Sequence, residues 1–241
     1  SAVHNLNLHF VTERSENKNL RISEVSGFEV LRREGSGKEL SAGMTLAAHI
    51  KDRTTRKYLI DLAKASTEQF LKDFDREAYV RGFRRGAKYS RKDVFRVLQW
   101  DKLPNAQNVG GYIVSPGGDN CPVFVTYHKE EHISETTKYE DRFVSPGHVV
   151  YMSKNRRTLE SPDVVAMRGH QDNAMRLPFF VKKSDDEGLD FYYLGELSAI
   201  GDKFVDTTMS GDDAAEVSVV KMEFLLDKDV DFRLYKYLTE S

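Results

Sequence analysis

The sequence predicts an α+β fold in which N-terminal helices precede a closed or nearly closed β-barrel. Up to about residue 100 the apolar residues recur at helical spacing. Beyond it they alternate, or gather in short runs rich in β-branched and aromatic residues. Between those runs stand SPGGDN, SPGH, SDDEG and SGDD, whose chemistry is that of tight turns. Many short strands joined by such turns favour a sheet that curls on itself.

Within 40–74, Leu59, Leu62 and Ala63 share a helix face, and Ser66 with Gln69 forms a capping box leading to Phe70, Leu71 and Phe74. Two short helices are predicted there. In YSRKDVFRVLQW, Ser90 caps a helix with Asp93 three residues on and Val94, Val97 and Leu98 as its apolar stripe. Pro104 and Gly110–Gly111 end it. The strands expected next are YIV, PVFVTYH, HVVYM, DVVAM, LPFFVKK, FYYLGELSAI and VSVVKMEFLL, and LYKYLTE closes the chain as a short helix.

At 241 residues the chain can bury a substantial core, and 11% aromatic residues do not suit a disordered tail. Lys and Arg number 36 against 38 Asp and Glu, so bulk charge does not drive binding to a polyanion. The distribution is uneven: basic residues crowd Arg76–Lys102, and acidic ones the stretch after Asp202. A single cysteine, Cys121, excludes an internal disulfide and suits a reducing cytoplasm. No apolar run approaches the ~20 residues of a membrane span, and the polar start SAVHNLNLHF lacks the order of a signal peptide.

His128, Glu131 and His132 fit H-x-x-E-H, which binds zinc only if a helix brings both imidazoles to one face. The strand-like PVFVTYH before them argues for loop histidines instead, because in extended chain the two rings stand too far apart to chelate. GSGK at 35–38 is not a phosphate loop: Arg32 occupies the required glycine position, and Glu39 follows Lys38 in place of a hydroxyl residue. No nucleophile elbow or cysteine–histidine pairing is present, so no catalytic residue, metal or cofactor is expected.

The basic residues Arg84, Arg85, Lys88, Arg91 and Lys92 suit either phosphate contacts or a solvated face. Trp100, Tyr112, Tyr127, Tyr139 and Tyr151 with Asp141 are either core aromatics and a turn cap, or the walls of a base pocket. In the pocket, tyrosine faces stack on a base and the carboxylate accepts from an exocyclic amine.

The phrases KYSRKDVFRVLQW, QNVGGY, CPVFVTYHKEEHISETTKYEDRF, NRRTLES, LPFFVKKSDDEGLDFYYLGEL and LYKYLTE resemble a bacterial C-terminal domain of unknown function. That domain follows DEAD/DEAH-type helicase modules in ATP-dependent, modification-dependent restriction enzymes. The resemblance runs from about Lys88 to the end. It implies an SRA/PUA-like β-barrel over 88–241 that reads 5-methylcytosine or 5-hydroxymethylcytosine in double-stranded DNA by base flipping. Residues 1–87 would be a helical segment bridging to the helicase, and motor and nuclease would lie elsewhere in the parent chain. Carried onto this sequence, Tyr139 stacks and Asp141 accepts from N4, with Tyr127 or Tyr151 as the second ring. Lys154, Asn155, Arg156 and Arg157, within SKNRRT, are similar in composition to the finger that fills the vacated duplex, or form a basic turn touching phosphates. A different class of function stays open: a module docking the motor to a protein partner, with only non-specific DNA contact.

Overall fold

The computed structural model describes residues 12–15, 18–21, 27–34, 39–73, 79–100, 102–105, 109–128, 141–210 and 216–240. The chain forms two compact units, one of Ser1–Tyr79 with Phe95–Leu103 and one of Val80–Val94 with Pro104–Ser241.

The first unit holds two antiparallel hairpins, β1 (Thr12–Ser15) with β2 (Lys18–Arg21) and β3 (Leu31–Glu34) with β4 (Glu39–Ala42). Helices α1 (Met44–His49) and α2 (Arg53–Asp73) follow. Asp52 starts α2 by accepting from the Thr55 amide at 2.7 Å. The expected restart at Ser66 does not occur. No glycine or proline interrupts Arg53–Asp73, so the helix runs unbroken for 21 residues. The hairpins correct the wholly helical reading of this segment; their strands are only four residues each, too short to display a period.

The second unit opens with the short strands β5 (Tyr79–Val80), β6 (Phe83–Arg84) and β7 (Lys88–Ser90). Helix α3 (Arg91–Val97) follows, with its residues up to Val94 in the second unit and those from Phe95 in the first. Ser90 caps it as predicted: its hydroxyl accepts from the Asp93 amide at 3.2 Å and donates to the Asp93 carboxylate at 2.7 Å.

The main sheet contains β8 (Val123–His128), β9 (Arg142–Ser145), β10 (His148–Met152), β11 (Pro178–Ser184), β12 (Asp190–Ala199), β13 (Val205–Ser210) and β14 (Glu216–Leu226). Its order is β8-β11-β12-β14-β10-β9, with β7 added on β12 and β13 on β14. Only β8 and β11 run parallel; the other named pairs are antiparallel.

β12 makes the corner of this sheet. Its first half pairs with β11 and β7, and its last residues pair with β14. Gly195, at φ +143°, sits at the bend, where a Cβ would lie 2.4 Å from an Asp227 carboxylate oxygen. That same oxygen accepts from the Glu196 amide at 3.0 Å, so only glycine lets strand and carboxylate meet. The curled sheet brings its two ends together at Tyr127 of β8 and Phe143 of β9, with ring centroids 5.8 Å apart. The result is a mixed α+β fold with a nearly closed barrel.

Alternation along the strands splits the apolar residues between two clusters. Val123, Val125, Phe179, Val181, Val149, Met222 and Phe224 pack together in the principal core. On the other face their neighbours Phe180 and Tyr193 meet Phe83, which also touches Tyr89, and Phe124 stacks on Phe180.

The predicted strand DVVAM is instead helix α4 (Pro162–Arg168). Pro162 starts it, where the missing amide hydrogen loses nothing. Val164 and Met167, three apart, are buried while Val165 is exposed, which is a helix period that β-branched propensity had masked. The expected strand YIV reduces to a single bridge between Tyr112 and Val123. Helix α5 (Phe232–Thr239) ends the unit, capped by Asp231, which accepts from the Arg233 and Leu234 amides. Among the described residues no helix is long and apolar enough to cross a membrane.

Candidate nucleic-acid interface

The sheet leaves one seam. Among the described residues β8 pairs with β11 alone of the strands, and β10 pairs with β9 and β14, so no described ladder joins β8 to β10. A cleft of about 290 Å³ occupies this seam, near the lower limit of small-molecule sites. Phe124, Val125 and Thr126 line it from β8; Tyr151, Met152, Ser153 and Lys154 line it from the end of β10. Asp141, Arg91 and the Gly110–Gly111 loop complete it.

Each wall is held by the local backbone. The Phe124 amide donates to the Gly111 carbonyl at 2.6 Å, so the glycine loop occupies part of the open edge of β8. A Cβ on Gly111 would lie 1.9 Å from the Tyr151 hydroxyl, and glycine is therefore what allows the loop to cross that ring. Asp141 accepts from the Met152 amide at 2.9 Å, which fixes its carboxylate against β10. The Ser153 hydroxyl accepts from the Val220 amide at 2.8 Å and donates to the Lys154 carbonyl at 3.0 Å. That anchors the backbone from which Lys154 projects.

The cations in the cleft lie on aromatic faces. The Arg91 guanidinium carbon is 5.2 Å from the Phe124 centroid and 4.7 Å from that of Phe191. Lys154 Nζ is 4.7 Å from the centre of the Tyr112 ring. Burial pushes both cations below their ordinary pKa values.

Of the residues singled out from sequence, Asp141, Tyr151, Arg91 and Lys154 converge on this cleft. Tyr127 and Tyr112 do not line it. Tyr127 packs against the principal core beside Phe143, and burial pushes its hydroxyl up. Tyr112 is buried and donates to Asp163 at 3.0 Å. Trp100 belongs to the first unit, its ring 4.7 Å from Phe95. Tyr139, Glu131 and His132 lie outside the described residues, and His128 ends β8 in extended backbone.

Among the basic candidates, Arg85 pairs with Asp227 at 2.5 Å and Lys88 with Glu187 at 3.4 Å. Arg84, Lys92, Asn155 and Arg156 are exposed, Arg156 in a left-handed turn at φ +60°. Arg157 pairs with Asp163 at 2.8 Å. Sequence reading missed Phe124, Thr126, Met152, Ser153 and the two glycines. Alternation separates Phe124 from Val123 and Val125, but it cannot say which face carries a cleft.

Asp163 ties Lys154's neighbourhood together, and its titration has a definite sign. Burial pushes its carboxyl up, but the bonds from Arg157 and Tyr112 outweigh this and hold it below the ordinary aspartate value. A depressed folded-state pKa contributes stability above the unfolded value of about 4, and that contribution is lost as pH falls through the folded pKa. Asp163→Asn is therefore expected to cost about 1–2 kcal/mol at pH 7. The gap in melting temperature between the two proteins should narrow from pH 5 towards pH 2. A gap constant over that range would show that Asp163 is not held charged.

Taken together, the second unit is a nearly closed barrel domain with an aromatic, cation-lined cleft in its seam. The sequence profile of the family described as Domain of unknown function (DUF3427) matches residues 83–238, and the chain belongs to that family. No curated protein matches the chain in sequence.

Solved structures to which the chain shows similarity include the sulfur-binding and SRA domains of ScoMcrA complexed with phosphorothioated DNA. That match has TM-score 0.39 and 11% identity over 65% of this chain and 45% of that one. The DNA modification-dependent restriction endonuclease AspBHI aligns with TM-score 0.37 and 13% identity, over 52% of this chain and 66% of its own. KRYPTONITE in complex with mCHG DNA and SAH aligns with TM-score 0.38 and 12% identity, over 78% of this chain and 41% of its own. The chain thus spans less than two thirds of each.

Proposed function

We propose that this domain is a non-catalytic reader of modified DNA that receives an extruded 5-methylcytosine or 5-hydroxymethylcytosine in the seam cleft. In this reading it serves an ATP-dependent restriction enzyme of the SauUSI kind, whose helicase and nuclease domains lie elsewhere in the parent chain. The supporting observation is the lining of one concavity by Tyr151 and Phe124, the Asp141 carboxylate and two cations. Aromatic edges and faces replace the stacking a base loses on leaving the duplex, and a carboxylate accepts from the cytosine amine. A module that touched DNA only non-specifically would have no need of Asp141 on a concave surface.

Extrusion costs a few kcal/mol, so the cleft must return at least that much through stacking and hydrogen bonds. The methyl group adds only ~0.8 kcal/mol when buried, or about fourfold in affinity. Matched duplexes differing in one 5-methyl group are thus expected to differ about fourfold in dissociation constant. Asp141→Asn should weaken binding of the modified duplex about tenfold by removing a charge-assisted bond. Equal affinity for methylated and plain duplexes, measured by fluorescence anisotropy, would overturn the reader assignment.

A further inference from the structure

Several buried or half-buried cations of the second unit have a carboxylate in contact. Arg85, Arg157, Arg176 and Lys182 each reach one at 2.5–2.8 Å. Arg91 and Lys154 differ from these. Both line the seam cleft, and among the described residues neither has an ion-pair partner. Arg91 Nε–H is buried without any acceptor. What holds these two side chains is aromatic: Phe124 and Phe191 for Arg91, Tyr112 for Lys154.

Removing a cation from water with no carboxylate in contact is unfavourable, and the ring quadrupoles return only part of the lost hydration. Asp185 acts on Arg91 and Asp163 on Lys154 only from outside ion-pair range, and burial still outweighs them. Both deficits face the same concavity, since Arg91 and Lys154 line one cleft. An anion entering the cleft relieves both at once. A planar guanidinium with an unused Nε–H can bind an oxyanion through paired donors, and the ammonium adds a point charge beside it. Asp141 is already bonded to the Met152 amide, on the β10 wall.

We infer that the cleft recognises a nucleotide and not only a base: Arg91 and Lys154 form an anion subsite for the phosphodiester attached to the extruded cytidine. This rests on the reader assignment above and adds the ligand's second half. It also gives the cleft a means of holding an extruded residue that a neutral pocket lacks. In a duplex the phosphate turns with its nucleotide, so the subsite is filled only when the base has left the stack.

The test uses duplexes carrying one 5-methylcytosine, in which the phosphodiester on its 5′ side, or separately its 3′ side, is replaced by a neutral methylphosphonate. One of these positions should weaken binding to the unaltered protein roughly 10- to 100-fold, the range of a lost charge-assisted contact. In Arg91→Gln and in Lys154→Gln the same replacement should weaken binding less than about threefold, because the partner is already gone. Melting curves establish that each variant is folded, and Lys154→Gln, which disturbs no buried ring pair, stands if Arg91→Gln does not fold.

If the methylphosphonate penalty is absent, or is equally large in both variants, the anion subsite is wrong. If methylated and plain duplexes bind alike while the penalty still depends on Arg91 and Lys154, the base-reading assignment fails and a phosphate site remains. If methylation is read and no phosphate matters, only the subsite is lost.

Discussion

Phe180→Ala is expected to destabilise the barrel unit by about 3–5 kcal/mol and lower its melting temperature by roughly 10 °C. Phe180 is fully buried and lies at the centre of the outer aromatic cluster. Its centroid is 5.2 Å from those of Phe83, Phe124 and Tyr193, with Phe124 stacked at 22°. Truncation removes a large apolar area, leaves a cavity between β11 and β7, and breaks several ring pairs. The functional consequence follows from Phe124, which stacks on Phe180, forms a wall of the cleft and carries Arg91. On the proposed reading, affinity for modified DNA should therefore fall even below the melting transition, where the chain stays folded. Phe180→Leu, which keeps most of the volume, should lose less than half as much stability. A loss under about 1 kcal/mol for alanine would mean that the cluster does not support the sheet.

Gly111→Ala is expected to destabilise the same unit by about 1–3 kcal/mol and, on the proposed reading, to abolish discrimination between methylated and plain duplexes. The added carbon would stand 1.9 Å from the Tyr151 hydroxyl, and the Tyr151 ring is only 4% exposed. Something must give. If the ring moves, the cleft loses a wall; if the loop moves, the bond from the Phe124 amide to the Gly111 carbonyl is broken and the edge of β8 is opened. Gly201→Ala is the matched control, since a Cβ there meets nothing within 4 Å. Discrimination unchanged in Gly111→Ala, with melting shifted no more than in Gly201→Ala, would separate the cleft from recognition.

Much of the barrel was legible because its signals are local. PVFVTYH, HVVYM, LPFFVKK and VSVVKMEFLL became β8, β10, β11 and β14, since alternation or a continuous apolar run reports burial residue by residue. Ser90 and Asp93 announced the start of α3 for the same reason: a cap involves residues three apart. DVVAM misled because β-branched propensity is weaker than the context that overrides it. Here Pro162 and the burial of Val164 and Met167 decide for a helix. β9 and β13 escaped notice because RFVS and VDTTMS carry little apolar pattern and are ordered by their partners on β10 and β14.

The candidate site was legible in kind and not in arrangement. Asp141 and Tyr151 were named as pocket residues, and Arg91 and Lys154 as DNA contacts, yet all four line one cleft. Tyr112 and Tyr127, chemically as suitable as Tyr151, do not line it. Nothing in residue type distinguishes these three tyrosines, because the side of a curled sheet that a ring occupies depends on the closure of the whole barrel.

By itself the sequence determined the class of fold, most strands of the barrel and the residue types available to a ligand, since periodicity, caps and turns act over a few residues. Tertiary structure alone decided where the seam opens and which cations have no carboxylate in contact. Arg85 is paired with Asp227, 142 residues away, while Arg91 packs on rings and feels the Asp185 carboxylate only without an ion-pair contact. Ion pairing and desolvation are set by distances in space, and those exist only once the sheet has curled.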